Sequence, residues 1–355
     1  MKIAITGATS GLGRATTEHL LREGHSVIAL IRDVGKGSRI RDELRGDAIK
    51  GKLQLIEADL SSLASIEKAT MEMQSDVSPD ALICNAGLQI VDGIQKSVDG
   101  YELTMAVNIL GHQRLILGLL DVLPEEGRVV LLGSETHRGG LGTFGFPSPR
   151  WKDPRKLYQP DDDASTSSQA GRVRYANSKL ATVYLTTEIN RRFADRGLFA
   201  NTFDPGLMPE TGLDRQYPGV VQTTYRWSTA LMVRMPGDKR VRESASDLAW
   251  LATSSETQGW SDKYVSGTKV QEPSGLSKAA DNAEELWNVG EFLIGALPRN
   301  RPKTKNSNNR QETGATITAT NCASANRGKK KQPLVGVGTW TIWSPRWDSN
   351  PGPTD

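Results

Sequence analysis

Six short apolar runs recur through the first part of the chain: KIAIT (2–6), SVIALI (26–31), LQLIEAD (53–59), ALICN (81–85), RVVLLGS (128–134) and FANTFD (199–204). A strand that is apolar on both faces has no side to give to water. Such strands belong in a parallel sheet with helices covering both faces. Parallel neighbours need crossover connections, and those crossovers are right-handed. Segments of helical periodicity do lie between the runs: LGRATTEHLLRE, the region of SRIRDELR, SLASIEKATMEM and a long stretch over about 101–122. The pattern predicts a doubly wound α/β domain.

Further helices are expected over 173–193, around 219–234 and 245–254, and near NAEELWNVGEFLIGAL, with a short strand near KYVSG. Between 136 and 174 the pattern gives way to Gly, Pro, Asp and Ser, with Trp151 and Tyr158 among them. A loop of this length inside a compact domain is read as a lid. Beyond about residue 298 the composition shifts to Lys, Asn, Thr, Gln and Gly without periodicity, too little apolar surface to offset the entropy of ordering. The chain is therefore expected to hold one domain, 1–298, and a disordered tail, 299–355. The tail's WDSNPG is what the codons TGG-GAT-TCG-AAC-CCG-GG encode. That possible coding contains GGGATTCGAACCC, the reverse complement of a T-arm found in many tRNA genes, and three of the eight tryptophans fall in the tail without apolar periodicity, as expected of an unselected reading frame.

With 355 residues and a formal net charge of +3, the chain is long enough for a substantial core and carries no charge excess calling for nucleic acid. Its two cysteines, Cys84 in an apolar run and Cys322 in the tail, imply no disulfide framework and fit a reducing compartment. No run reaches the roughly 18 apolar residues of a membrane span, and Lys2 already starts a strand, which leaves no space for a signal peptide. A cytoplasmic protein is the expectation.

The first run leads into TGATSGLGRATTEHLL. Glycines at 7, 11 and 13 permit a tight turn and a close approach of backbone to ligand, while the following helix directs its unpaired amides and positive dipole end at a phosphate. Placed after the first strand and before the first helix, this loop points to a dinucleotide. The second strand ends with Ile31 and Arg32, not with a carboxylate for a ribose 2′-hydroxyl. Arg32 suits a 2′-phosphate and favours NADP(H), with Asp33 keeping NAD(H) as the lesser option. In VRYANSKLATVYL, Tyr175 precedes Lys179 by four positions, so both share a helix face. Tyr-x-x-x-Lys alone is a weak signal. An unperturbed phenol ionises near 10, and bringing one to about 7 takes roughly 4 kcal/mol, more than one neighbouring cation supplies comfortably.

Thr6 to Gly13, ADL (58–60), NAG (85–87), VNILGH (107–112), LLGSETH (131–137), YANSK (175–179) and DPG (204–206) occur in the order seen in the short-chain dehydrogenase/reductase family, which the chain resembles over about residues 1–298. DGYELTMAVNILGH, SETH and KYVSG…ELW resemble most the branch of retinol-dehydrogenase-like enzymes and light-dependent protochlorophyllide reductases. The resemblance implies a Rossmann fold and NADP(H)-dependent interconversion of a carbonyl and an alcohol. It makes Tyr175 the general acid and base, with the oxidised nicotinamide as the second positive charge. Lys179 would also hold the nicotinamide ribose, Ser134 the substrate oxygen, and Asn108 a water in the proton relay behind Lys179. Cofactor contacts would come from Thr6, Gly7, Thr9, Ser10, Gly11, Leu12 and Gly13, from Arg32, from Asp59 and Leu60 at the adenine, and from Asn85, Ala86 and Gly87 in the turn beneath. Tyr175, Lys179, Pro205, Gly206 and Thr211 complete the set.

Some positions depart from the family wording. Gly133 stands where many members have a serine, Asp204 where His, Asn or Tyr is commoner, and LMPETGL where Val-x-Thr is usual. His112 and His137 are read as structural, and no metal cluster is implied. Protochlorophyllide-type double-bond reduction is the rival chemistry, but Leu180-Ala181-Thr182 replaces the cysteine which that branch carries after the lysine. A cofactor-binding regulator without turnover is the rival of another class, opposed by the intact Ser134, Tyr175 and Lys179. The expected partner is a small apolar carbonyl or alcohol, with Leu207, Met208, Leu213, Tyr225 and Trp227 in the region that would cover it. A homo-oligomer is compatible with the family.

Overall fold

The computed structural model describes residues 1–206 apart from 47, 141, 142, 144 and 145, and residues 237–295, with the side chains of 76 and 237–240 excepted. Each apolar run forms a strand: β1 (Lys2–Thr6), β2 (Ser26–Ile31), β3 (Leu53–Glu57), β4 (Ala81–Cys84), β5 (Arg128–Leu132) and β6 (Phe199–Asp204). Two short strands, β7 (Tyr264–Ser266) and β8 (Lys269–Gln271), complete one sheet in the order β3-β2-β1-β4-β5-β6-β7-β8. Pairing is parallel except between β7 and β8. This is the doubly wound α/β architecture that the alternation predicts. β8 escapes sequence reading because all three of its residues are exposed and show no apolar alternation.

The two faces of the sheet feed two core layers, because successive strand residues point to opposite sides. On β1, Ala4 enters one layer and Ile3 and Ile5 the other; on β4, Leu82 and Cys84 oppose Ala81 and Ile83. The first layer is closed by helices α3 (Leu63–Asp76), α5 (Gly111–Leu119), α7 (Ser168–Phe193) and α9 (Ala280–Leu293), through Ile66, Leu115, Leu180 and Trp287. The second is closed by α1 (Gly11–Arg22), α2 (Val34–Glu43) and α8 (Gly237–Thr253), through Leu20, Ile40 and Leu248. Each fully buried Leu or Ile contributes about 1.5–3 kcal/mol, so the layers fix how the strand ends line up.

The helix expected over 101–122 is interrupted. A short α4 (Leu103–Met105), capped by Glu102 accepting from Met105 N–H at 2.7 Å, passes through a π-helical turn, Ala106–Leu110, before α5. The catalytic-helix candidate α7 starts at Ser168, earlier than 173, with the Ser167 hydroxyl accepting from Ala170 N–H as N-cap. Within the expected lid, the stretch 150–158 is anchored to the domain. Tyr158, on α6 (Pro154–Tyr158), is fully buried, Trp151 meets Tyr184 edge-on at 4.8 Å, and Asn177 on α7 exchanges two hydrogen bonds with the backbone of Arg150. The expected helix at 219–234, the domain boundary at 298 and the tail 299–355 lie outside the described residues. Among the described residues no helix is long and apolar enough to cross a membrane.

Candidate active site

A cleft of about 340 Å³ opens at the carboxyl ends of β1 and β4, where the strand order reverses. Reversal leaves a crevice because the crossovers depart to opposite faces of the sheet. Thr6 and Asn85 tie its floor. Asn85 Nδ2 donates to Thr6 O at 2.9 Å, and Ala86 N–H donates to Thr6 Oγ1 at 2.9 Å. Gly7 and Gly11 have φ of +70° and +52°, in the left-handed region that favours glycine. At Gly13 a Cβ would lie 2.3 Å from Gly7 O and 2.4 Å from Asn85 Nδ2, so α1 packs on the loop with no side chain between them. Ser10 makes no side-chain cap bond to α1. The first amides and the positive dipole end of α1 therefore remain to meet an anion, which is the fit a pyrophosphate requires.

Thr9, Ser10, Leu12 and Arg32 line the same cleft, with Leu30, Ile31, Ala58 and Leu60 forming an apolar wall suited to a flat ring. Asp33 is not among the residues that line the cleft. Its carboxylate caps α2, accepting from Lys36 N–H at 2.9 Å. Asp59 also lines the cleft, one of its carboxylate oxygens accepting from the amide and hydroxyl of Ser61 at 2.9 and 2.8 Å.

Ser134, Tyr175, Lys179, Pro205 and Gly206 bound the other end, with Gly87 and Leu88. Tyr175 and Lys179 are both buried on α7, and the ammonium lies 5.6 Å from the centre of the phenol ring. Lys179 Nζ donates to Leu132 O at 2.8 Å. Burial pulls this ammonium down from 10.5 to about 8, against the opposing pull of Asp204. Phe146 packs on Tyr175 at 5.8 Å between ring centres, and the Arg172 guanidinium lies over Phe146 at 4.8 Å. Gly133 fits this chain for a steric reason: a Cβ there would lie 2.5 Å from Thr202 Cγ2.

Asn108 does not line the cleft; it stands behind it in the π-helical turn. Its side chain accepts from Leu88 N–H at 2.9 Å and donates to Leu88 O and Ser178 Oγ, each at 3.0 Å. Gly87 separates it from the cleft, since a Cβ there would meet Asn108 Oδ1 at 3.4 Å and Lys179 Nζ at 3.9 Å. His112 Nδ1–H donates to Asn108 O at 3.0 Å, which leaves Nε2 to accept from the Thr6 hydroxyl at 3.0 Å. Burial holds this imidazole at about 4, so it stays neutral and links the glycine loop to the π turn. His137 is fixed in the same manner. Its Nδ1–H donates to Ser134 O at 2.7 Å, its Nε2 accepts from Ser274 N–H at 3.0 Å, and burial lowers its pKa.

Besides the residues expected from sequence, the cleft is lined by Leu30, Ile31, Ala58, Leu88, Val107, Leu132 and Gly133. Ala58, Val107, Leu132 and Gly133 sit inside motifs quoted above but have no polar side chain to mark a role, and Leu30, Ile31 and Leu88 carry no motif signal, because apolar wall residues look like any strand end. Thr211 lies outside the described residues, as do Leu207, Met208, Leu213, Tyr225 and Trp227. Cys84 is buried in the core rather than in the cleft, and burial pushes its thiol up. Among the described residues no group of three or more His, Cys, Asp or Glu is placed to hold a metal ion.

The chain is similar to known proteins over most of its length. The family described as short chain dehydrogenase matches residues 1–145. Retinol dehydrogenase 14 of Homo sapiens is 33% identical over 316 residues, covering 83% of this chain and 86% of that protein. Polyprenol dehydrogenase of Mus musculus is 29% identical over 300 residues, covering 82% and 83%. Among solved structures, an uncharacterized protein from Mycobacterium Paratuberculosis is 26% identical with a TM-score of 0.61 over 83% of this chain and 93% of its own. A blue fluorescent protein from a metagenomic library, solved in complex with NADPH, shares the fold at 23% identity and a TM-score of 0.54, over 75% and 96%.

Proposed function

The chain belongs to the short-chain dehydrogenase family, within its retinol-dehydrogenase-like branch, and from that premise we propose that it is an NADP(H)-dependent oxidoreductase interconverting a carbonyl and an alcohol on a small apolar substrate. One observation carries the reading: Ser134, Tyr175 and Lys179 line the same cleft as the glycine loop, although they come from separate parts of the chain. A bound nicotinamide supplies or accepts the hydride. Tyr175 gives its phenol proton to the substrate oxygen in reduction and takes one back in oxidation. Lys179, held by Leu132 O, stabilises the phenolate, and the Ser134 hydroxyl donates to the oxygen as charge develops on it. Asn108 braces the segment beside Gly87 through its bonds to Leu88, and the relay water behind Lys179 is assigned to it on the strength of the family resemblance.

The preference for NADP(H) rests on Arg32 lining the cleft while the Asp33 carboxylate is committed to α2. The apolar substrate rests on Leu88 and Val107 in the cleft wall, on Phe146 against the phenol, and on relatives named for retinol and polyprenol. The test is turnover of NADPH and NADH with apolar aldehydes and ketones, a retinoid and a prenyl aldehyde among them, and of the matching alcohols in reverse. NADPH consumption with at least one carbonyl is expected. No turnover in either direction would sink the assignment, and equal efficiency with NADH would remove the cofactor preference.

A further inference from the structure

Asp204 is not among the residues lining the cleft, yet its placement is costly. It ends β6 directly before Pro205 and Gly206, which line the cleft, and is only 1% exposed. A carboxylate taken that far out of water is tolerated only with partners. Tyr264 O–H donates to Oδ2 at 2.9 Å and Gly206 N–H donates to Oδ1 at 3.0 Å. The register of β5 with β6 sets Leu132 opposite Phe203, so Asp204 comes immediately after the position facing the carbonyl that takes the Lys179 ammonium. The charged and titratable groups around it are Glu135 from the turn after β5, Tyr264 from β7 and, beyond the 4 Å of an ion pair, Lys179 from α7; Glu135 pairs with Arg138 at 2.7 Å, and the His137 ring lies tilted against that of Tyr264.

We propose that Asp204 is a positioning residue of this active site, the counter-charge of Lys179, which through Tyr264 and Gly206 also fixes the segment leaving β6 beside the cleft. The inference rests on the roles given above to Lys179 and Tyr175. Burial and the neighbouring Glu135 push the Asp204 carboxyl up to about 6, while the hydrogen bonds from Gly206 and Tyr264 oppose that rise. Lys179 titrates at about 8, with Asp204 as the influence holding it up against desolvation. Both charges therefore coexist between about pH 6 and 8. Without the carboxylate, desolvation acts on Lys179 unopposed, the ammonium is lost nearer neutrality, and the phenol beside it loses the cation that favours proton release.

Asp204→Asn keeps the shape and can still accept from Tyr264. Competitive acetylation of Lys179 across pH, read by mass spectrometry on the full chain without substrate, follows the lysine directly. Its midpoint is expected to fall by about one pH unit in Asp204→Asn and to recover toward wild type in Asp204→Glu. The alkaline limb of carbonyl reduction should move to lower pH by the same amount, whereas loss of structure alone would scale the rate without moving the limb. An unchanged or raised Lys179 midpoint overturns the proposal. Should Asp204→Asn not fold, the coupling is read from the other end, because linkage is reciprocal. In Lys179→Met the Asp204 carboxyl, followed by carbon-13 NMR, should titrate higher than in wild type, and equal midpoints overturn the proposal. If wild type reduces no carbonyl, the proposed activity fails while the acetylation still decides on Asp204. If wild type is active and the lysine midpoint stays put, the activity stands and this inference falls.

Discussion

Lys179→Met should make the protein more stable while removing its activity. The ammonium is buried beside the sheet and titrates at about 8 in place of 10.5. At about 1.4 kcal/mol per pH unit, that depression means the fold carries about 3 kcal/mol of cost for keeping this group charged. The sign follows from the direction. With the folded value lowered, the cost is full below about 8, shrinks as pH rises, and is gone above 10.5. Methionine fills nearly the same volume without a charge, but it leaves Leu132 O without its 2.8 Å donor, a loss of about 1–2 kcal/mol. A net gain of about 1–2 kcal/mol at pH 7 remains, or a Tm higher by about 2–6 °C in a domain this large. Scanning calorimetry of wild type and variant at pH 7 and pH 10 reads it. The advantage of the variant should be present at pH 7 and shrink or reverse at pH 10. A variant less stable than wild type at pH 7, or an advantage independent of pH, would refute the account of Lys179 as a destabilised charge kept for function.

Tyr175→Phe keeps the ring that packs on Phe146 and loses only the proton donor, so kcat for carbonyl reduction should drop at least about a hundredfold while NADPH affinity, measured by fluorescence titration, stays within a few-fold. Arg32→Ala should weaken NADP binding by about 1.5–3 kcal/mol and leave NAD unaffected in calorimetric titration, and an equal loss for both would remove Arg32 from the 2′-phosphate. Gly133→Ser drives a Cβ to 2.5 Å from Thr202 Cγ2 and should lower stability by about 1–3 kcal/mol in urea melts, with Thr202→Ser in the same chain restoring part of it. A chain ending at Arg299 should keep turnover and a Tm within about 3 °C of full length. The 3′ end of the gene should also read as antisense tRNA; a gene without that match ends the account of the tail's origin.

The alternation of apolar runs with helical segments was enough to place β1 to β6, because apolar periodicity is a local property and a strand apolar on both faces has no other home. The glycine loop was legible for the same reason: Gly7, Gly11 and Gly13 act within one turn of chain. Tyr175 and Lys179 share a face by helix geometry alone. What only the tertiary structure decided depends on residues far apart in sequence. Ser167 as the cap that starts α7 early, and the π turn that aims Asn108 at Leu88 and Ser178, follow from packing between elements. Gly133 departs from the family wording because Thr202 crowds it from the neighbouring strand. Asp204 stands out in sequence only as a departure from the family wording before a proline. Its burial under Tyr264, next to the strand carbonyl that holds Lys179, exists only once β5, β6 and β7 have aligned, since strand register and not local periodicity decides which charges meet.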